Sequence, residues 1–154
     1  MKSFSERTVP GRLVEVLRWL CALPAAVLGH VAAQFVVDAG LQVARYAGWD
    51  IFGGSSIANS LIRLMWHLPP NVAFVIAGAK MAPRHQKTTA IVLTLFGLIF
   101  SLMTHVISQH FFAGRRLGFN NYMDLCAESA GALGGAAYIM LQVRKNRRAE
   151  MTAR

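Results

Sequence analysis

The sequence predicts an all-α integral membrane protein, a bundle of four transmembrane helices with both termini in the cytoplasm. Three observations support this fold class. Hydrophobic residues make up 55% of the 154 residues. They are clustered in blocks of about 20, the length that crosses the ~30 Å hydrocarbon core of a bilayer. The chain also has a net charge of +9, and its basic residues stand mainly at the ends of the apolar blocks, as in membrane proteins.

The apolar blocks define four spans between two polar tails. The N-terminal tail is residues 1–11, which end at Pro10-Gly11, and the basic C-terminal tail is residues 144–154, which we expect to be frayed. Between the tails lies one transmembrane domain, residues 12–143. Its predicted spans are residues 13–37, 57–82, 88–112 and 121–143.

The first span contains a mainly apolar run of 19 residues from Trp19 to Val37. The run is longer than the core of a signal peptide and no A-x-A cleavage site follows it, so we expect a retained helix. Pro24 is a candidate bend within it. The polar stretch that follows is the longest connection, and residues 41–49 within it are a candidate short helix on the membrane surface.

The second span is interrupted by Pro69-Pro70. Because proline has no amide hydrogen to donate, we expect the helix to kink or restart there. The carbonyl groups that the two prolines leave without an amide partner either line a cavity or lie beside Asn71, which fills the gap. The sequence does not decide between these two alternatives.

The fourth span contains two helical faces with different chemistry. Asp124 and Glu128 are four residues apart and therefore project from one face. Ala127, Gly131 and Gly135 form a face of small residues, which lets helix backbones approach closely in lipid. We expect this face to pack against the first or third span of the same chain rather than against a second copy.

The basic residues sort to one side if the chain crosses the membrane four times with both ends inside. The cytoplasmic segments then hold twelve of the 16 Lys and Arg residues, and the outer segments hold Arg45, Arg63, Arg115 and Arg116. This distribution satisfies the positive-inside rule at every loop. We therefore expect a multi-pass protein of the bacterial inner (cytoplasmic) membrane, with the connection between the third and fourth spans at the outer face.

Polar groups are concentrated in the stretch from Ser101 to Gly135, which is the predicted site. Its candidate binding residues form an outer-face polar cluster: His105, Gln109, Arg115, Arg116, Asp124 and Glu128. In a functional interpretation the two carboxylates bind a proton or cation, or act beside Arg115 and Arg116. In a structural interpretation, which we favour, Asp124 pairs with an arginine, and Glu128 is neutral or pairs with His105.

No motif in the chain predicts a metal site or a disulfide. The sequence has no H-x₃-H or H-E-x-x-H pair, so metal ligands would have to converge from different helices, and we expect no metal. Cys21 and Cys126 lie inside predicted spans, where we expect them to be buried packing residues without a disulfide.

The region from the third to the fourth span resembles the pattern of VanZ-like membrane proteins. In that pattern a glutamine ends one helix, an arginine follows in a short loop, and an aspartate opens the next helix ahead of spaced glycines. The matching residues, in order, are Gln109, Arg115, Asp124, Gly131 and Gly135. The resemblance is confined to the C-terminal half. It implies an envelope protein of a family associated with glycopeptide resistance. The general layout also resembles small bacterial membrane proteins of four helices.

Three functions follow from these observations. The favoured one is a non-enzymatic accessory or lipid-interacting membrane protein, for which we expect neither catalytic residues nor a cofactor. The second is a VanZ-like envelope protein that binds an anionic lipid-linked or cell-wall group at the outer face through Arg115 and Arg116. The third is a small proton or cation conductor using Glu128 and His105. The expected partners are membrane lipids, with another membrane protein or a second copy as further candidates, and no nucleic acid.

Overall fold

The computed structural model describes residues 9–48, 56–82, 85–108 and 119–152, with side chains over a slightly narrower part of each range. Nearly all of these residues lie in four α-helices, which confirms the all-α fold class. The helices are α1 (Val9–Tyr46), α2 (Ser56–Met81), α3 (Gln86–Ser108) and α4 (Phe119–Thr152). Among them, α1 and α3 are long and apolar enough to cross a membrane, over Leu13–Tyr46 and Gln86–Ile107.

Helix α1 is longer than predicted at both ends. It begins at Val9, so Pro10 lies in its first turn, where a missing amide hydrogen is harmless. It also continues past residue 37 to Tyr46, so the candidate separate surface helix is instead the last part of α1. The helix ends at Tyr46; Gly48, two residues later, has a positive φ of 77° and donates its amide to the carbonyl of Arg45 at 3.0 Å.

Helix α2 continues through both prolines, so the predicted restart at Pro69-Pro70 is wrong. Pro70 is fully buried, and α2 has neighbouring helices along its length, which is the setting in which a helix tolerates proline. The side-chain amide of Asn71 donates a 2.8 Å hydrogen bond to the carbonyl of His67, one turn before. The carbonyl groups that Pro69 and Pro70 leave without an amide partner are those of Met65 and Trp66, so this bond does not decide between the two alternatives.

Helix α4 also exceeds its predicted length, because it continues to Thr152. The tail from residue 144 is therefore helical rather than frayed through most of its length. No glycine or proline follows Gly135 to break the helix. Helix α3 follows its prediction to Ser108, and the last predicted residues of that span, 109–112, lie outside the described residues.

Helix α2 is the centre of the arrangement. It packs against α1, α3 and α4, and α3 also packs against α4. Among the described residues, α2 is the only helix whose backbone comes close to that of α1. Consecutive helices run antiparallel, so α2 and α4 are parallel to each other, with Arg63 beside Asp124 at one end and Lys80 over the ring of Tyr138 at the other.

The interior is built from small side chains, and the large apolar side chains lie outside. The buried core contains alanines from all four helices, with Leu93, Ile139 and Val75 as its larger aliphatic members. By contrast, large apolar residues are exposed along α1 and α3, such as Phe35 (73%), Leu28 (68%) and Ile99 (63%). A continuous apolar surface of this kind marks contact with a membrane or another protein. Small residues between helices are typical of bundles in lipid.

Candidate functional site

The predicted carboxylates of α4 face two basic side chains of α2. Arg63 and His67 are four residues apart, as are Asp124 and Glu128, so each pair occupies one face of its helix. Because α2 and α4 are parallel, the two pairs meet in the same order. We call these four residues the polar ladder; Arg63 and Asp124 form its first rung, and His67 and Glu128 form its second.

The first rung is a close ion pair. Nη1 of Arg63 donates to both oxygens of Asp124, at 2.8 Å and 3.1 Å. The Asp124 side chain is 13% exposed and the Arg63 side chain 38%. The carboxylate is therefore largely removed from solvent while the guanidinium reaches the surface. His67 also contributes here, because its Nε2 lies 3.5 Å from an oxygen of Asp124.

The second rung joins three helices through Glu128. Nδ1 of His67 on α2 lies 3.2 Å from one carboxylate oxygen, and the hydroxyl of Ser101 on α3 donates a hydrogen bond to the other. Each oxygen of Glu128 therefore has a partner from a different helix. An acid placed among apolar helices is stable only when it is paired in this way.

The polar residues at the end of α3 bond mainly to their own helix. Nδ1 of His105 lies 2.9 Å from the carbonyl of Ser101, and the Thr104 hydroxyl donates to the same carbonyl at 2.8 Å. His105 is therefore one helical turn from Ser101 and adjoins the second rung through that residue. The structural interpretation that paired Glu128 with His105 is wrong about the histidine, because the ring that contacts Glu128 is that of His67.

The small-residue face of α4 explains how these short side chains can meet. A Cβ added to Gly131 would collide with the Leu68 carbonyl of α2. One added to Gly135 would lie 2.9 Å from the carbonyl oxygen of Val72. Ala127, at the same face, is 1% exposed. The partner of this face is therefore α2, and the expectation of the first or third span is wrong, although the contact is within one chain as predicted.

A half-open groove of about 420 Å³ adjoins the polar ladder. We call it the lateral groove, because α1 and α3 form its two walls and α2 forms its floor. It is in the volume range of small-molecule pockets. One end of its lining is apolar, and Glu128 lies at the other end. The ladder therefore has one face toward a cavity as well as one toward the helix interface.

The structure places three of the six predicted cluster residues. His105, Asp124 and Glu128 lie together at the ends of α3 and α4, as described above. The other three, Gln109, Arg115 and Arg116, lie outside the described residues. The arginine beside Asp124 is Arg63, which the sequence did not place in the cluster.

The sequence did not identify Arg63 and His67 as site residues. A signal for them was present: two basic residues on one apolar helix had the same four-residue spacing as two acidic residues on another. Such matched spacing indicates a pair of facing helices. Ser101 is the first residue of the predicted stretch and lies one turn before His105, but it was not among the named binding residues.

Among the described residues, the cysteines and the remaining histidines form no further centre. Cys21 and Cys126 are both free, and both are exposed on the helix surfaces instead of buried as expected. Within the described parts of the chain, no group of three or more His, Cys, Asp or Glu residues has an arrangement that could hold a metal ion.

Comparison of the chain with models of protein families, with curated proteins and with solved structures gives no match. The functional argument therefore depends on the contacts of the chain itself.

Proposed function

We propose that this chain is a four-pass protein of the bacterial inner membrane, with both termini cytoplasmic and a non-enzymatic, accessory or lipid-interacting role. Helices α1 and α3 support the membrane location by their length and their exposed apolar surfaces. Helices α2 and α4 carry the polar ladder within their predicted spans. Arg63 and Asp124 carry opposite charges and form an ion pair, so each charge neutralises the other. This pairing lowers the free energy of placing both helices in lipid.

The single observation that carries the proposed role is the pairing of both α4 carboxylates. Asp124 is bonded to Arg63, and Glu128 has one partner on each of two other helices. Groups that are held in this way stabilise the bundle, and the ladder is better suited to joining helices than to acid–base chemistry. The VanZ-like alternative requires Asp124 to act with Arg115 and Arg116, and its pairing with Arg63 favours the structural role over that alternative.

An apolar replacement of the first rung separates a structural role from a chemical one. The double variant Arg63→Leu with Asp124→Leu removes both charges at once, and such replacements of internal ion pairs are often neutral or stabilising. We expect the single variant Arg63→Leu to accumulate poorly in membranes, because it leaves Asp124 unpaired, and the double variant to accumulate as the wild type does. A double variant that accumulates normally but loses an envelope-stress or glycopeptide-sensitivity phenotype would contradict the structural role.

A second candidate function, proton conduction, is favoured by one specific observation. The contacts form a continuous series from Asp124 through His67 and Glu128 to Ser101, with His105 one turn beyond. Titratable side chains in series inside a membrane are typical of proton pathways. The test is proton flux into liposomes that contain the purified chain, with Glu150→Gln in the exposed tail as the matched control for Glu128→Gln. Proton conduction is supported if the wild type shows flux and Glu128→Gln abolishes it while Glu150→Gln does not. If the wild type shows no flux, proton conduction is excluded.

The membrane topology has its own test. After Cys21 and Cys126 are replaced by serine, single cysteines are placed at Tyr46, His85 and Met151, one on each connection or tail that the structure describes. We expect a membrane-impermeant thiol reagent to label Tyr46→Cys in intact cells, and to label the other two only after permeabilisation. Labelling of His85→Cys from outside would overturn the orientation.

A further inference from the structure

The lateral groove has a polarity that changes along its length. The apolar end is lined by Leu23 and Val27 of α1, Phe74 of α2, and Phe96 and Phe100 of α3. The rings of Phe96 and Phe100 are stacked with their centroids 6.2 Å apart, so one wall is largely aromatic. This end is suited to a hydrocarbon chain.

The other end of the groove is polar on every element that lines it. One helical turn or two beyond the apolar residues lie polar side chains from all four helices: His30, Asn71, Ser101, Thr104 and Glu128. The change occurs in the same direction on both walls, because α1 and α3 are parallel. From Leu23 to His30 the groove extends about 10 Å, at a rise of ~1.5 Å per residue.

The direction of this change matches a lipid in one leaflet. The polar end lies toward the end of the bundle where α3 finishes and α4 begins, and the apolar end lies toward the middle of the helices. A lipid of the leaflet on that side has its head group and its chains in the same order. A ligand in the groove can therefore remain parallel to its neighbours in the bilayer and leave its chain ends in the hydrocarbon.

The charge at the polar end selects the head group. Among the described residues that line the groove, Glu128 is the only charged one apart from the titratable His30, and none is Lys or Arg. The basic partners of the two ladder carboxylates, Arg63 and His67, do not line the groove, so Glu128 is the acidic group that faces it. His30 makes no hydrogen bond or ion pair with any other described residue. A carboxylate at the polar end, with no Lys or Arg in the described lining, attracts an ammonium group and disfavours an anionic head.

We propose that the lateral groove binds one aminophospholipid, with its acyl chain between Val27 and Phe100 and its ammonium group beside Glu128. This inference rests on the proposed membrane location and adds a ligand class to it. The occupant is specified by two complementary features, the order of polar and apolar residues along the groove and the acidic character of its polar end. The backbones of α1 and α3 do not meet in the described structure, so the groove is open to lipid from the side.

Gly97 gives a way to fill the groove without disturbing the bundle. It lines the groove between the two α3 phenylalanines, and a Cβ added there would have one neighbour within 4 Å, the Phe74 ring at 3.9 Å. Gly134 on α4 is a matched control, because its added Cβ would also have one neighbour, Val72, at 3.9 Å, and it does not line the groove. Val27→Trp, from the opposite wall, is a second filling variant that does not depend on Gly97.

The experiment measures lipid binding to the full chain in maltoside detergent by native mass spectrometry. The two probes are phosphatidylethanolamine and phosphatidylglycerol with identical acyl chains. We expect the amine lipid to bind more tightly, and Gly97→Leu and Val27→Trp to weaken its binding about tenfold, equivalent to 1.4 kcal/mol, while Gly134→Leu leaves it unchanged. Circular dichroism of each variant confirms that it is folded.

The other outcomes overturn the inference. Equal binding of the two lipids, or tighter binding of the anionic one, contradicts the head-group assignment. Amine-lipid preference that survives in both filling variants places the lipid elsewhere on the surface. Extraction of the wild-type chain from membranes by alkaline carbonate is measured first. Release of the chain contradicts the proposed membrane function itself, whereas retention without lipid selectivity contradicts only the groove assignment.

Discussion

Helices α1 and α4 pack against the same helix, α2, in two different ways. The α1 contact is made by small side chains at two places: Gly29 lies against Ala73 and Ala77, and Gly78 of α2 lies against Ala22 and Ala26. The α4 contact has a small-residue face as well, but it adds the polar ladder at one end. The first contact holds two helices close together, whereas the second also specifies which residues must be opposite each other.

This difference has a physical consequence for register. A helix that slips by one residue rotates its side chains by about 100°. Along α1 such a slip exchanges one small or aliphatic residue for another. Along α4 it separates Asp124 from Arg63 and leaves a charge without its partner, which costs several kcal/mol when the group is removed from water. We infer that α4 is fixed against α2 and that α1 can adjust.

The largest effect is expected at the fixed contact. Gly131→Leu forces a side chain against the Leu68 carbonyl, and the ladder prevents α4 from moving away. We expect a loss of about 3 kcal/mol in the free energy of unfolding, near the upper end for overpacked sites. The measurement is denaturation by SDS in mixed micelles, followed by circular dichroism. Gly134→Leu is the control, and an equal loss in both variants would contradict the close contact.

The second rung gives the next effect. His67→Leu removes the ring that contacts Glu128 and leaves the acid with the Ser101 hydroxyl alone. Because His67 is 31% exposed, we expect less than the full penalty for an unpaired buried charge, about 2 kcal/mol. The same unfolding titration measures it. Adding Glu128→Leu to the variant should restore most of the loss, and no recovery would mean that His67 stabilises the bundle in another way.

The adjustable contact gives a smaller effect. A Cβ at Gly29 would lie 2.7 Å from the Cβ of Ala77, but α1 is free to shift outward. We expect Gly29→Leu to lower the unfolding free energy by about 1.5 kcal/mol, half the effect at Gly131. Gly40→Leu is the control, because an added Cβ there has no neighbour within 4 Å. A loss as large as that of Gly131→Leu would show that α1 is fixed as firmly as α4.

The smallest effect is expected at the α3–α4 contact. The Thr94 hydroxyl bonds to the carbonyl of Ala90 in its own helix at 2.8 Å and lies 3.3 Å from that of Ala132 in α4. Thr94→Val keeps the shape and removes these bonds. The expected loss is about 0.6 kcal/mol, the average for hydrogen bonds between helices in lipid. A loss above about 2 kcal/mol would mean that this contact, and not the ladder, dominates the polar stabilisation.

The sequence predicted the four helices but placed several of their ends wrongly. Apolar blocks of span length revealed that the helices exist. Their ends, however, are set by residues that break a helix, and polarity alone does not break one. Helix α1 therefore continues through the polar stretch after Val37 until Gly48, and α4 continues through a basic tail that has no glycine or proline.

The candidate site was predicted on one helix and missed on the other. Asp124 and Glu128 share a face by spacing alone, so their common location was predictable. Their partners were not, because the sequence does not state which helices are neighbours. The sequence predicts an arginine beside Asp124 without identifying which one, and the parallel packing of α2 and α4 brings Arg63 to it from 61 residues away.

The most direct test of the central claim is the coupling energy between Arg63 and Asp124. The unfolding free energies of the wild type, Arg63→Ala, Asp124→Ala and the double variant are measured under the same conditions in lipid-containing micelles. If the first rung joins α2 to α4, each single variant is destabilised, the double variant is less unstable than the sum predicts, and the coupling is at least about 1 kcal/mol. Additive losses, with a coupling below about 0.3 kcal/mol, would contradict the account.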